Sequence, residues 1–454
     1  MATILFDPIP APGHYNGSLQ LARLLKQAGH QIVYIGPVEF RERIENAGFS
    51  FFVFQPFTLE SREDRKRNVL NVWVDCFISI FNDSRLRNFL RITNELDVII
   101  KEIAPDLILL DSNFIQKIVL YRKCNIRTVF FDTMVSRQYA LNVPPYNSVF
   151  IPKDRFYSKV YVKYLWLYRE YSLRCEIIMD SILYFNNASH NIFQKLALRY
   201  GIEIERWGDT KRMNRTKVIP KGVTELIIPP LCFDFPRPEK KNVIHIGPLV
   251  NMNRDDANLD TRYVNIVKRI RELKQDNHDI LFIYASLGTM SEASPTREKK
   301  FIRSLLEYCS SNKKSHVVFS VGKNYDILNL PALPDNLYIL NHVPQLDILK
   351  YCDLMITHGG MNTLTECILN NVPVIVYPLA KNWDQNGNAA RVVYHEIGVR
   401  GNFHRISANN LKKNVAMISE NYSSYKENLR KMNSEFNIEE IAQRAVQIVE
   451  SFIK

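Results

Sequence analysis

Strand and helix signals alternate twice along this 454-residue chain, and a stretch without that rhythm separates the two series. In the first series Thr3–Asp7, Gln31–Ile35, Ser50–Phe54, Asp106–Leu110 and Arg127–Phe131 read as strands. Asn16–Ala28 and Pro37–Ala47 read as helices closed by Gly29 and Gly48. Parallel strands joined by helices must be covered on both faces, so this alternation predicts a doubly wound α/β fold. From about 200 to 242 the pattern stops, with prolines at 229, 230, 236 and 238 marking a linker. A second series follows: Val243–Ile246, Ile280–Leu287, Val317–Val321, Leu337–Leu340, Leu354–Thr357 and Val372–Tyr377. Single cores stop growing near roughly 250–300 residues, so two parallel-sheet domains are expected.

A hydrophobic fraction of 46% with 11% aromatics excludes disordered and fibrous classes. The seven cysteines form no C-x-x-C pair and no metal-ligand spacing with histidine, which fits a reducing, cytoplasmic setting. MATILFDPIPAPGH has no basic leader and meets an acid at Asp7, and no run approaches a membrane span, so neither a signal peptide nor a transmembrane segment is expected. The net charge of +12 is scattered and accompanies no nucleic-acid motif; attraction for an anionic small molecule or an acidic membrane surface explains its sign more simply.

Chemistry concentrates in residues 342–388. The strand-like Leu354–Thr357 runs into His358-Gly359-Gly360 and then a helix over about 362–370. Glycines at a helix start let backbone N–H groups approach an anion, and the helix dipole favours negative charge there. Glu366, two turns on, suits the paired hydroxyls of a ribose, and Asp384-Gln385, after the Val372–Tyr377 strand and Pro378, suits the vicinal hydroxyls of a hexose. Ala285-Ser286-Leu287-Gly288-Thr289 ends another strand with a glycine turn, which alone is an ordinary turn. In the first half His14 follows strand one on the loop Pro8–Gly13, before the first helix, and Asp111 ends the strand after Pro105. Loops at the carboxyl ends of parallel strands bind ligands, and an imidazole oriented by a carboxylate is a general base; taken alone, a lone histidine before a helix is more often a surface or capping residue and Asp111 reads as an N-cap.

The order His-Val-Pro-Gln, His-Gly-Gly-x-Asn-Thr-x-x-x-Glu, Val-Pro, Asp-Gln-x-x-Asn resembles the donor signature of the family 1, nucleoside-diphosphate-sugar-dependent glycosyltransferases. The resemblance implies the GT-B fold, two facing Rossmann-like domains: an acceptor domain over 1–235, a donor domain over 236–435, and a C-terminal helix, 436–454, crossing back to the first. It implies that His358 meets the β-phosphate, that Gly360, Asn362, Thr363, Ser286, Gly288 and Thr289 lie about the diphosphate, and that Glu366 and Gln345 serve the ribose. Val343 would face the base edge, and Asp384 and Gln385 the sugar. Many members place tryptophan where His342 stands, so uridine and thymidine both stay open. Gly13-His14 and Pro105-Asp106…Asp111 match the family's base and its partner. The implied reaction is an inverting, single displacement from a UDP-sugar, glucose suiting Asp384-Gln385, onto a small hydrophobic acceptor of polyphenol, macrolide, terpenoid or carotenoid type, with no metal or cofactor. Diphosphate charge would be met by His358, backbone N–H groups and hydroxyls. Asp255-Asp256 reads as an exposed linker pair. A lipid or cell-envelope acceptor, or nucleotide-sugar binding without turnover, are the rival functions.

Tyrosines at 157, 161, 164, 168 and 171 recur at alternating intervals of four and three, on one helix face. Packing against the first domain is one reading of that stripe. In the other, Tyr164 and Tyr168 wall an acceptor pocket or the stripe touches a membrane. Oligomeric state is not legible.

Overall fold

The computed structural model describes residues 1–55, 84–183, 189–203, 222–252, 259–288, 295–322, 325–328, 330–380 and 383–453. Thr289, the Asp255-Asp256 pair and most of the proline-poor part of the linker lie outside them. Two parallel sheets organise the chain. The first contains β1 (Thr3–Asp7), β2 (Gln31–Gly36), β3 (Ser50–Val53), β4 (Leu107–Asp111), β5 (Arg127–Asp132), β6 (Glu225–Ile227) and β7 (Val243–His245), in the order β3-β2-β1-β4-β5-β6-β7. The second contains β8 (Leu281–Ser286), β9 (Ser315–Ser320), β10 (Leu337–Leu340), β11 (Leu354–Thr357), β12 (Val374–Val376) and β13 (Gly398–Arg400), in the order β10-β9-β8-β11-β12-β13. In each the order reverses beside the first strand laid down, β1 or β8, and ligands of such sheets bind at the carboxyl ends beside that switch. The apolar runs make this possible: Ile4, Leu5, Phe6 and Leu107–Leu110 are fully buried, with alternate side chains entering two different cores above and below the sheet.

Two boundaries differ from expectation. Val243–His245 opens no second sheet; it pairs with β6 through Glu225↔Val243 and Ile227↔His245, so the first sheet extends past residue 235. A three-residue strand is placed by its partner rather than by its own pattern, and the turn that follows is pinned because a Cβ on Gly247 would fall 1.6 Å from the Ile228 carbonyl oxygen. The first helix, Pro12–Gln27, starts four residues before the expected Asn16. Pro12 stands at its first position, where a missing N–H costs nothing. His14 therefore sits in the first helical turn and not on the preceding loop.

The last helix, Ile438–Glu450, buries Ala445 and Val449 in the core beneath β1 and β2, shared with Leu21 and Leu25 of the first helix. Polar pins fix it: His30 Nε2 lies 3.0 Å from Glu450, and Arg127 donates to the Phe452 carbonyl at 3.1 Å. A chain end from the donor side thus becomes part of the first domain.

Candidate active site

β4 delivers Asp111 and β1 leads through a short loop into the helical turn that carries His14, so two adjacent strand ends bring together residues 97 positions apart. His14 Nδ1 lies 2.7 Å from Asp111 Oδ2, with both side chains buried. Nδ1 is thereby assigned the proton, leaving Nε2 as the basic nitrogen. Asn113 donates both its backbone N–H and its side-chain amide to Asp111 Oδ1, each at 2.9 Å. One carboxylate oxygen is saturated and the other is turned to the imidazole. Burial alone would pull His14 down, but the charge of Asp111 and its hydrogen bond, helped by Asp132 and Asp384, carry it above the ordinary 6.5. Burial would likewise push Asp111 up; the His14 partner and the Asn113 donors hold it below the usual carboxylate range.

Behind the pair is a polar cluster that the sequence did not reveal. Thr133 Oγ1, at the end of β5, lies 3.1 Å from His14 Nδ1. Arg137 donates to Asn113 Oδ1 at 2.6 Å and to Asp132 at 3.1 Å, and it also donates to Ser112. With its oxygen held by Arg137, the Asn113 amide must present nitrogen to Asp111. Burial raises Asp132 to about 6 despite the neighbouring guanidinium of Arg137. The available signals were positional: Asn113 follows Asp111 by two, and Asp132-Thr133 closes the strand beside β4.

The second lobe supplies the facing wall. Gly359, at φ +88°, turns the chain from β11 into the helix Met361–Leu369, whose N-cap Gly360 has no side-chain cap, leaving first-turn N–H groups directed outward. The His358 ring is seated between two glycines: a Cβ on Gly288 would come 2.3 Å from its Cε1, and one on Gly360 would come 2.7 Å from its Nε2. Burial pushes His358 down to about 4, and among the described residues its Nδ1 has no hydrogen-bond partner. Burial thus favours the neutral ring, which has an N–H to offer an anion.

Gln345 donates to Glu366 at 2.6 Å, with Thr363 Oγ1 3.4 Å from the same amide, so these three expected donor residues converge. Ser286 ends β8 and accepts from the Gly288 N–H at 3.3 Å. Val343 is buried and His342 exposed. Asp384 immediately precedes the helix Gln385–Tyr394; it accepts from Asn388 at 2.9 Å, and burial holds its carboxyl above the usual range. Gln385 is nearly inaccessible, and its Oε1 accepts from the N–H groups of Leu379 at 2.7 Å and Ala380 at 3.0 Å. Its oxygen shapes the loop behind the expected sugar site.

Asn362, in the first turn of the helix Met361–Leu369, also makes a contact that the sequence does not predict. Its amide crosses to the first lobe and donates to the Gly13 carbonyl at 2.8 Å, one residue before His14. The glycine turn of one lobe and the base-bearing turn of the other are thus in direct contact. A second bridge lies deeper: Arg391, seven residues after Asp384, donates to Asp234 Oδ1 through Nε at 2.9 Å and Nη2 at 2.7 Å, with both side chains buried. Close approach there needs Gly387, where a Cβ would fall 1.6 Å from the Tyr146 carbonyl oxygen.

Tyr164 and Tyr168 lie on the helix Phe156–Leu183 but do not pack it to the domain. They are 54% and 61% exposed and stack on each other, whereas Val162 and Trp166 form the buried side, with Trp166 donating to the Val143 carbonyl at 2.7 Å.

Known proteins agree with this architecture. The chain is 24% identical over 452 residues to the NDP-glycosyltransferase YjiC of Bacillus subtilis (strain 168), covering 98% of this chain and 96% of that one. Its fold superposes on the crystal structure of the glycotransferase of kitacinnamycin with a TM-score of 0.70 at 19% identity, covering 100% of this chain and 99% of the other. The calicheamicin glycosyltransferase CalG4 follows, with a TM-score of 0.64 at 18% identity, covering 100% and 98%. The architecture is that of GT-B. The model of the UDP-glucoronosyl and UDP-glucosyl transferase family matches residues 182–447, more than half the chain, and the chain belongs to that family of glycosyltransferases.

Proposed function

We propose that this glycosyltransferase moves a hexose, glucose, from its UDP donor to a hydroxyl of a small hydrophobic acceptor with inversion at the anomeric carbon. The observation that carries the reading is the buried His14–Asp111 pair, 2.7 Å apart, on the lobe facing Asp384 and the His358 turn. The acceptor O–H loses its proton to His14 Nε2 while its oxygen attacks the anomeric carbon; the bond from that carbon to the diphosphate oxygen breaks, and UDP leaves. Asp111 stabilises the imidazolium. The leaving charge is met by first-turn N–H groups at Gly360 and by the His358, Ser286, Thr289 and Thr363 side chains, so no metal enters the scheme. Glu366 with Gln345 holds the ribose. Asp384 holds sugar hydroxyls, and Gln385 keeps its loop in place beside them.

The names of its relatives support a small-molecule acceptor, since kitacinnamycin and calicheamicin stand in two of them. Among the described residues the cysteines are free and no helix is long and apolar enough to cross a membrane, and we place the enzyme in the cytoplasm.

The test is to incubate the chain with UDP-glucose, UDP-glucuronate and dTDP-sugars against a mixed aglycone panel, reading products by mass and anomeric configuration by proton NMR. UDP-glucose is expected to give an adduct one hexose heavier with a β linkage. UDP binding with no adduct from any pair would make the chain a binding protein, and an α linkage would exclude single displacement.

A further inference from the structure

The helix Phe156–Leu183 is apolar on two opposite sides. Ser158, Val162, Trp166, Leu173 and Ile177 share one face and are buried. On the other, Tyr157, Val160, Tyr161, Tyr164, Leu167, Tyr168, Tyr171, Ile178, Met179 and Ile182 are each 44–69% exposed. At about 100° per residue those outward positions fall within one sector centred opposite the buried stripe, and at about 1.5 Å per residue the sector runs some 40 Å along the surface. A contiguous exposed apolar face of that length marks an interaction site.

Its chemistry selects the partner. Tyrosine predominates, Tyr161, Tyr164 and Tyr168 stack in sequence at centroid separations of 5.9 and 6.3 Å, and rings with an apolar body and a polar rim favour the headgroup level of a bilayer. Among the described residues of this region the exposed charges are mostly cationic: Lys153, Arg155, Lys159, Lys163 and Arg174 are exposed, whereas Glu170, Glu176 and Asp180 are half-buried. Two of the cations are paired, Lys159 with the exposed Asp154 at 2.8 Å and Arg174 with Glu170 at 2.6 Å. Cations along an aromatic face complement an anionic surface, and the chain's net charge of +12 adds long-range attraction.

We propose that this face is a docking surface for an anionic lipid bilayer, with the tyrosines at headgroup depth and the lysines on lipid phosphates. The helix lies on the membrane and does not span it. The proposal stands apart from the transfer chemistry, because vesicle binding requires neither donor nor turnover.

The test is co-sedimentation of the full chain with vesicles of mixed phosphatidylcholine and phosphatidylglycerol, with phosphatidylcholine alone, and with the mixed vesicles in high salt. Binding to mixed vesicles is expected to exceed binding to phosphatidylcholine by about tenfold and to weaken with salt. Two variants probe separate contributions: Tyr157→Ser/Leu167→Ser/Tyr171→Ser removes ring and aliphatic surface, and Lys159→Glu/Lys163→Glu inverts the charge. Each is expected to lose most of the binding while its circular dichroism melt stays at the parent value, since all five side chains are exposed. Absence of vesicle binding by the parent chain, or binding indifferent to both variants, overturns the proposal. So does light scattering that shows a parent dimer converted to monomer by the triple serine variant, because the face would then bind a second copy.

Discussion

Replacing His14 with alanine is expected to lower kcat by about 10²–10⁴, the range that a positioned general base contributes, and to leave UDP affinity at the parent value. The asymmetry follows from the architecture. The convergent Gln345, Thr363 and Glu366, together with the glycine turn, belong to the second sheet and its connections, whereas the His14 ring bonds to Asp111 and Thr133 of the first. The bridge between lobes that does involve this turn ends on the Gly13 backbone carbonyl, which an alanine at position 14 retains. Steady-state rates beside calorimetric titration with UDP separate the two effects. A kcat within tenfold of the parent would remove His14 from the chemistry, whereas lost UDP affinity would mean that the substitution had disturbed the closed cleft.

The second large effect concerns stability. Arg391→Met is expected to cost about 3–5 kcal/mol in denaturant titration, because it leaves Asp234 buried with half of its cationic surroundings gone. Among the described residues Arg391 and Asp234 are two of the least exposed charged side chains, and Arg237, 2.7 Å from Asp234, is the guanidinium that remains beside it. Burial holds Asp234 up, and Arg391 then Arg237 pull it below the usual range; with Arg391 gone, folding must desolvate the carboxylate or protonate it. Arg391 also donates to the Tyr146 carbonyl and rides on the helix that begins just after Asp384, so a raised donor KM should accompany the loss. Arg391→Lys is expected to recover less than half of the stability, since an ammonium cannot reproduce two planar donors on one oxygen. A change below about 1 kcal/mol would show that the bridge is dispensable.

The donor half was legible because its chemistry is dense and local. Asn362, Thr363 and Glu366 are fixed relative to one another by one helix, and the glycine turn is written in two adjacent letters. His14 and Asp111 were legible as strand-end residues, but their 2.7 Å contact is a product of β1 and β4 being neighbours. Where the signal failed, the deciding partner was remote. Pro12 starts the first helix through two glycines that local propensity counts against it. β7 joins the first sheet because β6 offers it an edge, and the Asn362 side chain meets Gly13 because that carbonyl comes within reach from the other lobe. The tyrosine stripe shows the limit of periodicity itself. Spacing establishes that five rings share a face, yet Val162 and Trp166 give the opposite face equal claim to the core, and tertiary packing chose the latter.

The most direct measurement is the pH dependence of kcat/KM in the parent and in Asp111→Asn. A base must be unprotonated to act, so a pKa raised by Asp111 places the acid limb of the parent above 6.5, with activity lost as pH falls through it. Without the carboxylate, burial becomes the dominant influence on the ring, and the limb should move below 6.5 as the rate itself drops. A limb that stays put in Asp111→Asn, or that lies in the carboxylate range in both enzymes, would contradict an imidazole base held and tuned by Asp111.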